Sequence, residues 1–407
     1  MCGLLPCRSP ERNTPLQPLE GITIVETAIG RPGPYCATLL ADMGAHVIKV
    51  EPLGGDPFRA YRSPHVDPHA VREFLGINRN KRSIALDDRA REGGEIFQAL
   101  LAKADVLIAD GDPADGERLE CDEAMLMQRH PRLIIAGFTP YARQGPMASW
   151  RGSEAGVQAW SGALAYQWPE GSPRLNQFAL AEYIAAMQAT FGVVAALYAR
   201  DVTGHAQRVD TSLLAANMVL HAGSFIYPED PEVRLGAGEP SGPFPYQLFP
   251  TADAWLFLAC GTERFWRSLC QVIGKPELAI DPRYDQAAKR SRHRAELAAT
   301  IEAILRQRPR AEWLEAFEKA GIPCAPVQQI EALFDDPQIR HNGMVISLPH
   351  PALGDVEMGG IPVLLSDTPG RCGGPAPGLG EHTDEILREM GYTDARIASL
   401  RSRHVIA

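Results

Sequence analysis

Residues 21–51 read GITIVETAIGRPGPYCATLLADMGAHVIKVE. GITIVET is an apolar run, AIGRPGPY a loop, CATLLADMGA a helical stretch, and HVIKVE a second apolar run. Strand, loop, helix and strand in this order make a βαβ unit of the doubly wound kind. Glu51 ends the second strand, where a dinucleotide fold keeps its ribose acid. The loop is GRPGPY and not GxGxxG, so the glycines that admit a pyrophosphate are missing and nicotinamide binding is not expected.

The alternation continues outward. SIALD, DVLIAD and RLIIAGF read as the remaining strands of the first sheet, with helices over GGEIFQALLAKA and around residues 122–129. Arg79, Lys81, Arg82 and Arg89 cluster about SIALD. They read either as a solvated charge run or as a corner whose convergent donors hold phosphate. Residues 141–171 are loop-rich, with a short helix over AGVQAWSGAL and five rings: Tyr141, Trp150, Trp160, Tyr166 and Trp168. These rings suit a bulky acyl group or plain packing.

A longer helix is expected from residue 178, FALAEYIAAMQATFGVVAALYARDVTG, ending near Thr203-Gly204. Apolar residues recur at Ile184, Met187, Phe191, Val194, Leu197 and Tyr198, which predicts that this face is buried. Glu182 sits in its first turn, where the helix dipole alone would favour a carboxylate. QRVDTSLL then reads as a short return into another packed element.

The 407 residues, 45% hydrophobic and 22% charged, are those of an ordinary globular protein with ample core. A net charge of -10 argues against a nucleic-acid binder, and no apolar stretch is read as long enough to span a bilayer. Eight scattered cysteines show no CxxC pair or zinc spacing, so no metal site is expected and a reducing cytoplasm is. Composition divides the chain into a disordered, non-secretory extension (1–17), a large α/β domain (18–224), a smaller α+β domain (225–330) and a C-terminal return to the large domain (331–407).

Several stretches in register carry a family resemblance: PLEGITIVE, GPYCATLLADMGAHVIKVEPLGGD, NRNKRSIALD, ADVLIAD, TGHAQRVDTSLL, PTADAWLFLAC, GIPCAPV, DDPQIRHNGM and GLGEHTDEILREMG. From Pro18 onward the chain resembles the class III CoA-transferases, the formyl-CoA and carnitine CoA-transferase group that includes the α-methylacyl-CoA racemases. The resemblance implies a Rossmann-like large domain with a parallel sheet, a smaller domain, and an interlocked homodimer. It implies transfer of coenzyme A from an acyl-CoA donor to a small carboxylic acid, with no permanently bound cofactor. CoA would lie against Arg31, Pro32, Leu86, Arg89, Asp110 and Arg118, with Arg151 and Glu154 near the acid.

Three departures stand out. Where the family carries its nucleophilic Asp, this chain has Glu182, chemically competent but one methylene longer. Asp110-Gly111-Asp112-Pro113-Ala114 stands where the family has Asn-Phe and a Pro-Gly turn, and an added carboxylate there would repel phosphates. Ser153 replaces the racemase histidine, and serine cannot take a proton at neutral pH unaided. Glu182 as covalent nucleophile is therefore the leading expectation. The alternatives are a non-catalytic CoA-binding subunit of a heteromeric transferase, partnered by a paralogue, and an acyl-CoA racemase or isomerase. The glycine-rich run at 235–245 reads as a mobile lid over the site or as a linker, and His382 as structural.

Overall fold

The computed structural model describes residues 16–59, 69–87, 89–110, 123–167, 172–221, 243–351 and 353–407. Six strands form one sheet: β1 (Thr23–Glu26), β2 (His46–Glu51), β3 (Lys81–Ala85), β4 (Val106–Asp110), β5 (Ile134–Thr139) and β6 (Arg208–Ser212). All pairings are parallel, in the order β3-β2-β1-β4-β5-β6. This is the doubly wound order, whose winding reverses between β1 and β4. The core follows the two-residue alternation of the strands. Ile24, Val47, Ile108 and Ala136 meet the helices Pro32–Asp42 and Leu180–Thr203 on one face. Val25, Ile48, Leu107 and Ile135 meet Arg91–Leu101 and the C-terminal helices Thr383–Glu389 and Asp394–Ser402 on the other.

The chain divides into two compact units, one of Met1–Arg234 with His341–Ala407 and one of Leu235–Arg340. The sequence had placed the smaller domain at 225–330. That unit holds an antiparallel sheet of β7 (Tyr246–Pro250), β8 (Trp255–Ala259) and β9 (Cys324–Pro326), with a core around Trp266, Trp313 and Phe317. In the first unit β10 (Val345–His350) and β11 (Gly354–Gly359) form a hairpin, and the chain end returns to β3, where Ile406 bridges Leu86.

Four expectations are corrected. The first helix begins at Pro32 rather than Cys36, because proline at its first turn has its φ preset and needs no partner for an N–H. The sheet has a sixth strand, β6, hidden from hydrophobic patterning because as an edge strand it keeps Arg208 and Asp210 in a half-exposed sequence. The long helix buries mainly its small residues, Ala181, Ala185, Ala186, Ala189, Val193 and Ala196; of the large ones expected inside, Leu197 is buried and Ile184 partly so. Alanine lets the helix approach closely, and a Cβ on its Gly192 would lie 2.5 Å from Val209. Met187, Phe191, Val194 and Tyr198 are left exposed, Phe191 by 77% and Tyr198 by 73%. At 24 residues and a mean hydropathy of 1.5, this helix also has the length and apolarity of a membrane span, which the sequence reading had not found. Its alanine face is packed in the core of the sheet domain.

The basic knot about β3 is not an open phosphate corner. Arg79 forks onto Asp42 (3.0 and 2.7 Å) and donates to the Gly359 carbonyl, and Arg82 forks onto Glu389 (2.9 and 3.0 Å). Lys81 and Lys49 share fully buried Glu26, at 2.8 and 2.9 Å. Burial alone would raise the Glu26 carboxyl, but the two lysines outweigh it and hold it below its ordinary range. Burial also draws the Lys81 ammonium down to about 8, against the pull of Glu26 and with a push from Lys49. The strand-end acid Glu51 is occupied as well, by Arg59 (2.7 Å) and the Ser83 hydroxyl (2.6 Å), so it has no place for a ribose.

Removing one partner from a buried ion cluster leaves charge uncompensated, at a cost of about 3–5 kcal/mol. Glu26→Gln should lose that much stability in urea unfolding followed by fluorescence. A loss under about 1 kcal/mol would mean that the cluster carries little of the fold.

Candidate active site at the start of the long helix

The loop between β1 and the helix Pro32–Asp42, together with the first turn of that helix, is held from three sides. Lys49 donates to the Ala28 carbonyl (3.2 Å), Lys81 to the Pro34 carbonyl (2.8 Å), and Asp110 accepts the Ile29 N–H (2.8 Å). Gly33 is required here, since a Cβ would fall 2.2 Å from that of Ala28. Arg31 stands at the crest of this clamped loop, as the N-cap of the helix that Pro32 opens. The position is the carboxyl end of the sheet beside the winding reversal, where open α/β folds form their crevice.

Arg31 points to the first turn of the long helix. Its Nη1 lies 2.9 Å from Glu182 Oε2 and its Nε 2.8 Å from Glu73 Oε2, while its guanidinium stacks 5.2 Å from the Phe58 ring. The Tyr183 hydroxyl donates to the same Glu73 oxygen at 3.0 Å, and the Tyr183 ring meets Tyr35 edge-on. Burial pushes the Tyr183 phenol up, with Glu73 adding to the rise, so it stays protonated and donating.

Glu154 anchors Glu182 from behind. The long helix has no capping side chain of its own, since Ala179 is its N-cap. Glu154 supplies the missing acceptors: its Oε1 takes the Ala181 N–H at 3.0 Å and its Oε2 the Glu182 N–H at 2.9 Å. A carboxylate here satisfies two of the orphan donors of the helix and lies favourably on its dipole. Gln158, one turn on, holds Glu154 at 2.8 Å and ties down the Phe178 carbonyl.

Burial raises the Glu182 carboxyl above its ordinary range; Arg31 opposes the rise, and Glu154 and Glu73 add to it. Glu182 is thus a carboxylate only partly open to solvent, oriented by one guanidinium and crowded by two other carboxylates. Such a group can act as a nucleophile or base.

Of the expected site residues, Glu182, Glu154, Arg31 and Pro32 come together. Asp110 reaches the same loop but from the sheet side, spending an oxygen on the Ile29 N–H instead of facing a phosphate. Leu86 is buried in the core with Ile84 and Ile406, so its side chain is packing and not a ligand contact. Arg89 is exposed just beyond β3, and Arg151 is exposed in the loop before Glu154. Ser153 is spent as the cap of helix Glu154–Trp160, accepting the Gly156 N–H, and His382 pairs with the Ser83 backbone. Arg118, Trp168 and all but the end of the run at 235–245 lie outside the described residues. Glu73 and Tyr183 were missed. Tyr183 adjoins Glu182 in sequence, but nothing in HAVREFLG marks Glu73 as distinct from a surface acid.

CoA-transferase family III matches residues 19–383. A succinate–glutarate CoA-transferase of Agrobacterium fabrum is 32% identical over 389 residues, covering 92% of this chain and 96% of that protein. The beta subunit of a succinyl-CoA–L-malate CoA-transferase of Chloroflexus aurantiacus is 32% identical over 401 residues, covering 96% and 98%. The crystal structure of a CaiB/BaiF family protein from Brucella suis superposes with a TM-score of 0.81 at 29% identity, covering 92% of this chain and 100% of that one. A parallel sheet of doubly wound order and a carboxylate at the head of a helix thus coincide with full-length similarity to CoA-transferases, and the chain belongs to CoA-transferase family III.

Proposed function

We propose that Glu182 is the covalent nucleophile that moves CoA from an acyl-CoA to a carboxylic acid. The observation that carries this is its carboxylate, held 2.9 Å from Arg31 with its own backbone N–H fixed by Glu154. In the first step a Glu182 oxygen attacks the thioester carbon, the C–S bond breaks, and CoA thiolate leaves a mixed anhydride. The thiolate then attacks the Glu182 carboxyl carbon, releasing the donor acid and leaving a glutamyl-CoA thioester. An incoming acid reverses the two steps and departs as its own CoA thioester. The relatives' names concern short dicarboxylic acids, and we propose a small carboxylic acid of this kind as acceptor.

Within this reading Glu154 is a positioning residue, because both its oxygens are engaged by backbone. Of the positions implied for CoA, Arg89 remains an accessible phosphate contact, with Arg118 as a further candidate; Arg151 is a candidate contact near the acid, and Pro32 opens the helix that carries Arg31 as its cap. The exposed stripe of Met187, Phe191, Val194 and Tyr198 supports burial against a second copy, the homodimer that the family resemblance implies. A non-catalytic subunit is the second reading, favoured by the Chloroflexus aurantiacus relative, which is named a beta subunit.

Intact-protein mass spectrometry after mixing with a panel of acyl-CoAs, followed by hydroxylamine, tests the chemistry. The expected mass gain maps to the peptide holding Glu182 and vanishes in Glu182→Ala; CoA binding without any adduct would favour the non-catalytic subunit. The nucleophile must be ionised, and burial with Glu154 and Glu73 disfavours the carboxylate while Arg31 supports it and Tyr183 stays neutral. Because the raised value means the ionised fraction falls as pH drops toward and past it, the acylation rate should decline on the acid side at a pH above 4.5, the ordinary glutamate value. An acid limb at or below 4.5 would contradict the buried, crowded carboxylate. Glu154→Ala should cost about 1–2 kcal/mol of stability as a lost cap and lower kcat roughly tenfold or more, with the acyl-CoA KM little changed. Sedimentation should find a dimer that Phe191→Glu with Tyr198→Glu converts to monomer; a wild-type monomer at micromolar concentration would remove the case for pairing through this helix.

A further inference from the structure

The strongest unexplained feature is the charge arithmetic around Arg31. One guanidinium serves two carboxylates, Glu182 through Nη1 and Glu73 through Nε. Its Nη2 makes no hydrogen bond among the described residues, and by covalent geometry Nη1 and Nη2 form one edge of the fork. Arg31 is only 28% exposed, its loop is clamped by Lys49, Lys81 and Asp110, and Glu73 is held in turn by Tyr183. The guanidinium thus keeps its Glu73 anchor, on a nitrogen that Glu182 does not use, when its other partner changes.

In the proposed reaction its partner does change. Both covalent states of Glu182, the anhydride and the CoA thioester, are neutral, so Nη1 loses its anion while Glu73 stays. A half-buried guanidinium edge left without an acceptor is costly. In the thioester state a free carboxylate must stand against the Glu182 carboxyl carbon, because the acid that has just left and the acid about to attack both occupy that position. The Nη1–Nη2 edge presents two parallel donors, the arrangement that takes a carboxylate in bidentate fashion.

We infer that Arg31 is the recognition residue for the substrate acid: Glu182 occupies it at rest, and the carboxylate of the departing donor acid or the incoming acceptor acid replaces Glu182 on the Nη1–Nη2 edge once Glu182 has become the CoA thioester. This rests on the transferase reading and adds to it where the acid binds and when. It also separates two kinds of carboxylate: one held by a cation that it shares with substrate (Glu182), and one that never leaves it (Glu73). Arg31 then faces two carboxylates in the resting state and again in the thioester state.

The test mimics the neutral state without chemistry. Glu182→Gln puts an uncharged group beside Arg31, and calorimetry with acetate, succinate and glutarate measures binding to the wild type, to Glu182→Gln and to the double variant Glu182→Gln/Arg31→Gln. A charge-assisted hydrogen bond gained in a partly dry site corresponds to roughly a tenfold to hundredfold change in affinity. Glu182→Gln should therefore bind at least one of these acids about tenfold or more tightly than the wild type, and the double variant should lose that gain. Equal affinity in wild type and Glu182→Gln, a gain that survives in the double variant, or no binding to Glu182→Gln at all would each overturn the inference. A second measurement uses the wild-type chain and Arg31→Lys loaded as the CoA thioester: discharge by succinate should slow about tenfold in Arg31→Lys, which cannot form the two-pronged contact, while discharge by hydroxylamine is unchanged. Equal slowing by both nucleophiles would overturn it too. Absence of any thioester on wild-type Glu182 would instead remove the transferase reading, while the binding comparison would still stand or fall by itself.

Discussion

The interaction on which this architecture depends is the buried carboxylate of Glu26, at the end of the central strand β1, shared by Lys49 of the adjacent strand β2 and Lys81 of β3, one strand further out. Charges so deep in a sheet are tolerated only when each is matched and its remaining donors are used. Here each lysine also donates to a carbonyl that follows β1, Lys49 to Ala28 in the loop and Lys81 to Pro34 in the first turn of the next helix. The electrostatic demand of the core is therefore what shapes the loop. Arg31 is carried to its position by a loop that the sheet interior holds from beneath, with Asp110 of β4 completing the hold across the winding reversal.

The same economy of backbone partners appears at the long helix. Its first turn needs acceptors, its own N-cap is an alanine, and Glu154 of a separate short helix provides them. Two needs of different kinds are thereby joined: the cap that stabilises the helix start also fixes the main chain of Glu182. Glutamate at this position reaches farther than the aspartate usual in the family, and Arg31 meets it at hydrogen-bond distance. A longer carboxylate is less ordered by its backbone alone, and the guanidinium restores that order.

Crowding distinguishes Glu182 from Glu26. Glu26 is more deeply buried, yet two lysines keep it ionised; Glu182 has one guanidinium, shared with Glu73, and its carboxyl is raised. Burial with a surplus of cation makes a structural anion, whereas burial with a deficit of it makes a carboxylate whose charge is readily given up to a new bond. The fold uses both within one sheet domain.

What the sequence by itself determined is the βαβ alternation and the extent and end of the long helix at Gly204, while Glu182 and Glu154 were named as acids of interest by the family resemblance. These signals are local: hydrophobic period, a glycine that admits positive φ, and motif order along the chain. The tertiary structure alone decided which charges pair with which. In the sequence Arg79, Lys81, Arg82 and Arg31 look alike as cations near one another, but the first three are neutralised by Asp42, Glu26 and Glu389, residues far off along the chain. It also decided which face of the long helix is inside, because alanines pack closer to a sheet than the Phe191 and Tyr198 that hydropathy favours. Glu73 and Tyr183 joined the site for the same reason: a carboxylate's meaning depends on the cation opposite it, and spacing along the chain does not encode which cation that will be.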